Sequence, residues 1–125
     1  MNMKYEILIV ISAFAFTGCC STRNTERPLN GSAAAIPECI NKLIVQYKSE
    51  PKQNPPRSIY SYTYSEKTVY YVPAICCDQY SDLYDGDCNM IAHPDGGLTG
   101  NGDGRLPDFI KTKTMEKLLW HDERK

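Results

Sequence analysis

The sequence predicts an α+β fold, in which an N-terminal amphipathic helix packs on a small antiparallel β-sheet and a long Asp/Gly-rich loop follows. Three observations indicate this class. Apolar residues recur at helical spacing between residues 36 and 47. The runs 58–64 and 68–74 are rich in the β-branched and aromatic residues that strands favour. The segment 93–109 is dominated by glycine, aspartate and proline, which form turns.

The chain begins with a segment that is typical of a secretory signal peptide. A charged start precedes a short apolar run over residues 7–16, and small residues follow at Thr17 and Gly18. Together with Cys19, the segment resembles a bacterial lipobox, whose cysteine receives lipid, palmitate included, and becomes the mature N-terminus. We expect a lipoprotein signal peptide over residues 1–18 and lipidation of Cys19. The alternative is an ordinary cleaved signal beside an unmodified Cys19.

Export would leave a lipidated tether over residues 19–35 and one small α+β domain over residues 36–125. The tether consists mostly of polar residues and ends in small ones, with no periodic apolar pattern. The apolar run is too short to span a bilayer, so the domain would be held at the membrane by its lipid. Cys20 stands where an aspartate favours inner-membrane retention in many Gram-negative bacteria. We therefore expect an outer-membrane lipid anchor, with the domain facing the periplasm or the cell exterior.

The charge of the chain argues against one class of partner. The 125 residues carry a net charge of −1, whereas nucleic-acid binding needs a basic face that neutralises phosphates. We expect no nucleic-acid partner, and an envelope protein or a glycan instead.

The helix is predicted over residues 37–50. Pro37 suits a first helical turn, and Glu38 suits the positive end of the helix dipole. Pro51 ends the helix because proline cannot continue it.

The two strand-like runs are predicted to form a hairpin, joined by a polar turn at residues 65–67. Tyr60, Tyr62 and Tyr64 share one face, because side chains alternate along a strand. This row is the candidate binding surface for proteins or sugars, and the alternative is that it packs inside the sheet.

The remaining elements have weaker patterns. Residues 82–87 are predicted as a turn, and residues 88–92 as a third strand. The end of the chain, residues 111–125, fits either a last strand or a short helix.

Four cysteines of the expected domain are candidates for disulfides: Cys39, Cys76, Cys77 and Cys88. Export would place them in an oxidising compartment, where disulfides persist. A bond between the adjacent Cys76 and Cys77 would strain the peptide between them, and we do not expect it. Two pairings stay open, namely Cys39–Cys76 with Cys77–Cys88, or Cys39–Cys77 with Cys76–Cys88. One bridge with free thiols is a further alternative.

The Asp/Gly-rich loop contains the best candidate for chemistry. Residues 101–104 resemble the middle of a calcium loop, in which oxygen ligands alternate around a glycine turn. The full EF-hand register fails, because Thr99 and Ile110 occupy its first and twelfth positions. Calcium is the one cofactor considered, with four candidate metal ligands: Asp95, Asn101, Asp103 and Asp108. The alternative is that these residues serve turns.

Catalytic motifs are absent from the sequence. It contains no nucleophile elbow, no zinc-protease motif and no glycine-rich phosphate loop. A hydrolase that uses two distant carboxylates among Asp95, Asp103 and Asp108 is the remaining enzymatic hypothesis.

Several short motifs form a recognisable set, namely Ile36-Pro37, Cys39-Ile40, Cys76-Cys77-Asp78, Leu83-Tyr84-Asp85 and the run PDGG-x-TG-x-GDG-x-x-PDF. Together they resemble an uncharacterised domain family of small lipoproteins, mostly from Bacteroidota. The resemblance covers nearly all of residues 36–125. The family has no established activity, so the resemblance implies a location and an architecture and supplies no catalytic residues.

The sequence thus favours a membrane-anchored exported lipoprotein that acts as a non-enzymatic binding or interaction module of the cell envelope, without a cofactor. The alternatives are a calcium-stabilised accessory protein of an envelope complex and a small carboxylate-dependent hydrolase. A deep cleft with converging carboxylates would favour the enzyme. A flat tyrosine-lined face would favour the binding module.

Overall fold

The computed structural model describes residues 35–125. The expected signal peptide, the lipidation site at Cys19 and all but the last residue of the expected tether lie outside the described residues. The elements follow in chain order as α1 (Glu38–Ser49), β1 (Ser58–Tyr64), β2 (Lys67–Val72), β3 (Asp82–Tyr84), β4 (Met90–Ala92), α2 (Phe109–Thr112) and β5 (Thr114–His121). All strand pairs are antiparallel, in the spatial order β4-β3-β2-β1-β5.

The predicted fold class is wrong. The described chain is mostly a five-stranded antiparallel sheet, with one helix of 12 residues and a second of 4 residues. Helix α1 is not the prominent amphipathic element that was expected, because it buries only Ile40, Ile44 and Tyr47 and leaves Val45 67% exposed. The sheet is larger than expected because β3, whose three residues are too few to give a period-two pattern, lies in the segment predicted as a turn, and because β5 is a strand in the segment that fitted either a strand or a helix. Strand β4 lies within the predicted third strand, residues 88–92.

The predicted hairpin of β1 and β2 is confirmed, with Tyr60 opposite Tyr71 and Tyr62 opposite Val69. Its loop is Ser65-Glu66, and both residues have positive φ angles of 47° and 62°. Two left-handed residues give the turn a twist that matches the right-handed twist of the strands.

Side chains alternate between the two faces of the sheet, and each face has its own core. On one face, Ile59, Tyr70 and Val72 pack with the buried side chains of α1. On the other face, Tyr62, Val69 and Leu83 pack with Phe109 of α2. The Asp/Gly-rich loop carries the chain to this second face.

Arg124 ties the end of the chain to the end of α1. Its guanidinium donates hydrogen bonds to the carbonyl oxygens of Lys48 and Glu50, each at 2.9 Å, and of Tyr47 at 3.0 Å. These carbonyls lie at the end of the helix, where no intrahelical donor is left. The same guanidinium donates to the buried carboxylate of Asp122 at 2.6 Å, which lowers the pKa of Asp122 to about 2.

Strand β5 lies at an edge of the sheet and pairs irregularly with β1. The register shifts once between Leu118 and Trp120 and once between Thr114 and Lys117, so β5 has an extra residue at each place. Met115, at the second shift, has a φ of 54°. Such bulges are a common protection of exposed strand edges.

Candidate functional site

The tyrosine row of β1 lies on the second face of the sheet, where α2 covers it. Tyr62 is 5% exposed and its hydroxyl donates to Glu116 Oε2 at 2.6 Å. The Lys113 ammonium lies 3.8 Å from the centroid of its ring. Tyr60 and Tyr64 are half-buried, and the Tyr64 hydroxyl donates to Asp108 Oδ1 at 2.9 Å. The row therefore serves mainly to pack the sheet, and the idea of a displayed tyrosine surface loses its main support.

The Asp/Gly-rich loop is held by hydrogen bonds to the segment that joins β2 and β3. The Tyr71 hydroxyl donates to Asp95 Oδ2 at 2.5 Å, and its oxygen accepts the Ser81 hydroxyl at 3.2 Å. Burial is the main cause that raises the pKa of Tyr71, and the hydrogen bond to Asp95 raises this pKa further. On the backbone, the Ser81 N–H donates to the Asp95 carbonyl oxygen at 3.2 Å. Asp95 therefore has a structural role as an acceptor at this junction.

Asp103 has a similar role further along the loop. Its Oδ2 accepts the His93 backbone N–H at 3.1 Å, and its own N–H donates to the His93 carbonyl oxygen at 2.9 Å. His93 Nδ1 lies 2.9 Å from Asp82 Oδ1, and the centroid of the His93 ring lies 5.1 Å from the centroid of the Tyr80 ring. A compact polar network thus closes the start and the middle of the loop.

The candidate metal ligands of the loop have separate hydrogen-bond partners. Asp95 is bonded to Tyr71, Asp103 to His93, and Asp108 to Tyr64, while Asn101 is exposed. Across residues 35–125, no three histidine, cysteine, aspartate or glutamate side chains are grouped so that they could hold a metal. The geometry favours the alternative, in which aspartate and glycine shape the turns.

The observed disulfide pairing differs from both predicted pairings. Cys39 is bonded to Cys88, with the two Cα atoms 5.7 Å apart, and Cys76 is bonded to Cys77. Neither expected pairing occurs, and the exclusion of the adjacent pair is wrong. Cys77 has a φ of 61° within a turn closed by the Gln79 N–H and the Cys76 carbonyl oxygen, a left-handed conformation that the sequence does not reveal.

The described surface has a cleft of about 740 Å³ at one end of the sheet, here called the hairpin cleft. It lies between the tip of the β1–β2 hairpin and the β3–β4 turn. Its residues are mostly apolar or small on the walls and polar at the mouth, and they are Ala35, Pro37, Tyr64, Ser65, Lys67, Thr68, Val69, Tyr70, Asp85, Gly86, Asp87, Ile91 and Leu106.

The mouth of the hairpin cleft has an ordered acidic side. Asp85 Oδ1 accepts the backbone N–H groups of Asp87 and Asn89, each at 2.9 Å, and Oδ2 accepts the Asn89 side chain. The hydrogen bond from the Asn89 side-chain amide is the main reason why the pKa of Asp85 is lowered. Lys67 lies on the hairpin side of the same opening. The turn is therefore preformed, and it places polar groups around an apolar interior.

Sequence reasoning found only Tyr64 among the residues of the hairpin cleft. Lys67, Asp85 and Leu106 were not candidates, because they are far apart in sequence and belong to segments that look like simple turns. Their proximity depends on the pairing of β2 with β3, which no local pattern specifies.

The match to a family model covers most of this architecture. Residues 45–122 match the model described as Domain of unknown function (DUF6970). The chain belongs to this family. The DUF6970 match includes all five strands, the Asp/Gly-rich loop, Cys76, Cys77 and Cys88, and it begins within α1, after Cys39. No curated protein and no solved structure matches the chain.

Membership in DUF6970 identifies an uncharacterised domain, as the sequence resemblance implied. Within residues 35–125, no helix is both long and apolar enough to cross a membrane.

Proposed function

We propose that this chain is an exported, lipid-anchored binding module of the cell envelope, of the small-lipoprotein type found mostly in Bacteroidota, and that it is not an enzyme. The observation that carries the binding role is the hairpin cleft. Its volume of about 740 Å³ falls in the range of small-molecule sites, roughly 300–1,000 Å³.

The lining of the hairpin cleft suits a ligand with an apolar body and polar edges. Val69, Ile91 and Leu106 offer apolar contacts, and Tyr64 offers an aromatic ring. The carboxylates of Asp85 and Asp87 and the ammonium of Lys67 can hydrogen-bond to groups at the mouth. An envelope protein that inserts an apolar side chain and a glycan that stacks one sugar ring both have this chemistry.

Two observations support the proposed location. The segment ending at Cys19 has the lipobox pattern, and Cys20 lacks the aspartate of inner-membrane retention. The disulfide between Cys39 and Cys88 is a bond that persists in oxidising compartments and is rare in the cytosol. The proposed site is the outer membrane, with the domain in the periplasm or outside the cell.

The binding role is tested with N-phenyl-1-naphthylamine, a neutral apolar fluorophore that brightens when it leaves water. We expect a saturable rise in fluorescence with one probe per chain. Leu106→Lys, which places a charge in the wall of the cleft, should abolish the rise. Leu98→Lys is the matched control, because Leu98 is in the same loop, is 88% exposed and is not among the lining residues. Equal binding by all three proteins would refute the cleft as a binding site.

The anchor is tested in cells by labelling with an alkyne analogue of palmitate. We expect label on the wild type and on Cys20→Ser, and none on Cys19→Ser, which should move to the soluble fraction. Label that persists on Cys19→Ser would contradict the proposed lipidation site.

A further inference from the structure

We propose that Cys76 and Cys77 form a redox-active disulfide that accepts electrons from an external dithiol, whereas Cys39–Cys88 is a structural bond. This inference concerns a different part of the molecule from the hairpin cleft and does not depend on the proposed function. Four observations carry it: exposure, sequence spacing, backbone conformation and the contacts of the surrounding segment.

Exposure distinguishes the two disulfides. Cys76 and Cys77 are both exposed, in the segment that joins β2 to β3, while Cys39 and Cys88 are half-buried and link α1 to the β3–β4 turn. Thiol–disulfide exchange requires a thiolate to reach a disulfide sulfur, so access is a condition of the reaction. The adjacent pair meets this condition on the surface of the folded domain.

Sequence spacing makes the adjacent bond a poor structural staple. A disulfide stabilises a fold chiefly by closing a loop in the unfolded chain, and the effect grows with loop length. Cys39–Cys88 spans a sequence separation of 49, whereas Cys76–Cys77 spans 1 and closes no loop of other residues. Because a bond that stabilises the fold is itself stabilised by folding, the native fold favours the oxidised form of Cys39–Cys88. Folding has little effect of this loop-closure kind on the oxidation of Cys76–Cys77.

The backbone conformation at Cys77 favours reduction of the bond, because the oxidised pair holds this residue in a costly conformation. Its φ of 61° lies in the left-handed region, which costs about 1–2 kcal/mol for a residue with a Cβ atom. When the bond to Cys76 is cut, one of the two constraints on this conformation is removed, and the hydrogen bond from the Gln79 N–H to the Cys76 carbonyl oxygen is the other. The oxidised form is thus the more constrained of the two.

The segment around the pair contacts the Asp/Gly-rich loop. The Gln79 N–H donates to the Cys76 carbonyl oxygen at 3.3 Å, and the Gln79 carbonyl oxygen accepts the Gly97 N–H at 3.2 Å. Tyr80 forms an isolated β-bridge with Gly96. A change of conformation at Cys77 is therefore transmitted to the backbone at Gly96 and Gly97.

The reaction is ordinary dithiol–disulfide exchange. A donor thiolate attacks the sulfur of Cys76 or Cys77, the Cys76–Cys77 bond breaks, and a mixed disulfide forms. The second donor thiol then displaces the released cysteine, so the donor leaves as a disulfide and both cysteines become thiols. Two electrons and two protons pass from the donor dithiol to the protein.

The experiment measures the equilibrium between the full oxidised chain and reduced dithiothreitol by alkylation and mass spectrometry. We expect Cys76 and Cys77 to become alkylated together, with an equilibrium constant for reduction about a hundredfold larger than that of Cys39–Cys88, because the longer loop favours its own bond. The reduced pair should also bind phenylarsine oxide, a reagent for neighbouring thiols, in a one-to-one ratio. In NMR spectra, the amide signals of Gly96 and Gly97 should shift on reduction.

Cys76→Ser/Cys77→Ser is the matched variant. It should fold, bind no phenylarsine oxide and show no shift of Gly96 and Gly97 under the same reductant. The proposal is overturned if both thiols are already free in protein isolated without reductant. It is equally overturned if the two disulfides are reduced with the same equilibrium constant.

Discussion

At the scale of single residues, the glycines of the Asp/Gly-rich loop have different tasks. Gly96 has a φ of 86°, and an added Cβ atom would overlap the carbonyl oxygen of Gln79. Gly100 has a φ of 72° but open space around it, and Gly86 has open space and no left-handed angle. The three positions therefore separate the cost of close packing from the cost of backbone conformation.

Substitution of these glycines by alanine should give a graded loss of stability. We expect Gly96→Ala to lower the free energy of unfolding by about 3 kcal/mol or more, because a backbone oxygen cannot move aside. Gly100→Ala should cost about 1–2 kcal/mol from its left-handed angle alone, and Gly86→Ala should change stability by less than about 1 kcal/mol. Urea denaturation measures all three. Equal losses for Gly96→Ala and Gly100→Ala would show that the contact with Gln79 is unimportant.

Asp122 predicts how stability responds to acid. The hydrogen bond from Arg124 lowers its pKa from 3.8 to about 2 in the folded protein. A carboxyl whose folded pKa lies below its unfolded pKa contributes stability that is complete above the unfolded value. That contribution is lost as the pH falls from about 4 to about 2. The free energy of unfolding, followed over this range, should therefore fall more for the wild type than for Asp122→Asn.

Arg124→Ala provides the control for the acid response. It removes the partner of Asp122 and three hydrogen bonds to the end of α1, so it should lower stability at neutral pH and flatten the acid response. An unchanged acid response in this variant would mean that another carboxyl is responsible. Arg105→Ala, which removes an exposed ion pair with Asp103, should have the smaller effect at neutral pH.

At the scale of elements, α2 shows how a single turn can hold a core. Phe109 is fully buried among Tyr62, Tyr64 and Tyr71, with ring centroids 5.4–6.1 Å away. Its neighbour Ile110 is 45% exposed. The Asp/Gly-rich loop thus ends by placing one aromatic side chain over the tyrosine row.

Truncation of Phe109 should be much more harmful than truncation of Ile110. Phe109→Ala is expected to lower the free energy of unfolding by about 3–5 kcal/mol, because it leaves a cavity between α2 and the sheet. Ile110→Ala is expected to change it by less than about 1 kcal/mol, as at other exposed positions. Urea denaturation of the two variants checks the difference, and similar losses would contradict the central position of Phe109.

The predictability of the elements follows from the range of the interactions that form them. The hairpin of β1 and β2 could be predicted because alternation, aromatic content and turn residues all lie within one short stretch. Strand β4 (Met90–Ala92) lies within the strand predicted over residues 88–92. Strand β3 was predicted as part of a turn, because three residues carry no period and their pairing is decided by distant partners. The hairpin cleft was missed for the same reason, since Lys67, Asp85 and Leu106 meet only after the sheet has formed.

At the scale of the whole molecule, the Cys39–Cys88 bond joins the first turn of α1 to the β3–β4 turn. The helix lies on one face of the sheet, and this bond links it covalently to the end of the sheet that is farthest from β5 in the strand order. The bond therefore limits how far α1 can move away from this part of the sheet.

Removal of this bond should destabilise the domain. We expect Cys39→Ala/Cys88→Ala to lower the free energy of unfolding by about 2–4 kcal/mol, because the unfolded chain regains the entropy of a long loop. Cys76→Ala/Cys77→Ala should have a much smaller effect, since the adjacent pair closes no loop of other residues. Chemical denaturation without reductant measures both, and a larger loss for the adjacent pair would contradict the assignment of roles.

The two extra residues of β5 have a consequence for crowded conditions. A neighbouring copy that tried to extend the sheet at this edge would meet donors and acceptors whose spacing is broken twice within 8 residues. Only a few bonds could form before the ladder lost alignment. Many copies concentrated on one surface should therefore remain separate particles instead of growing into fibres.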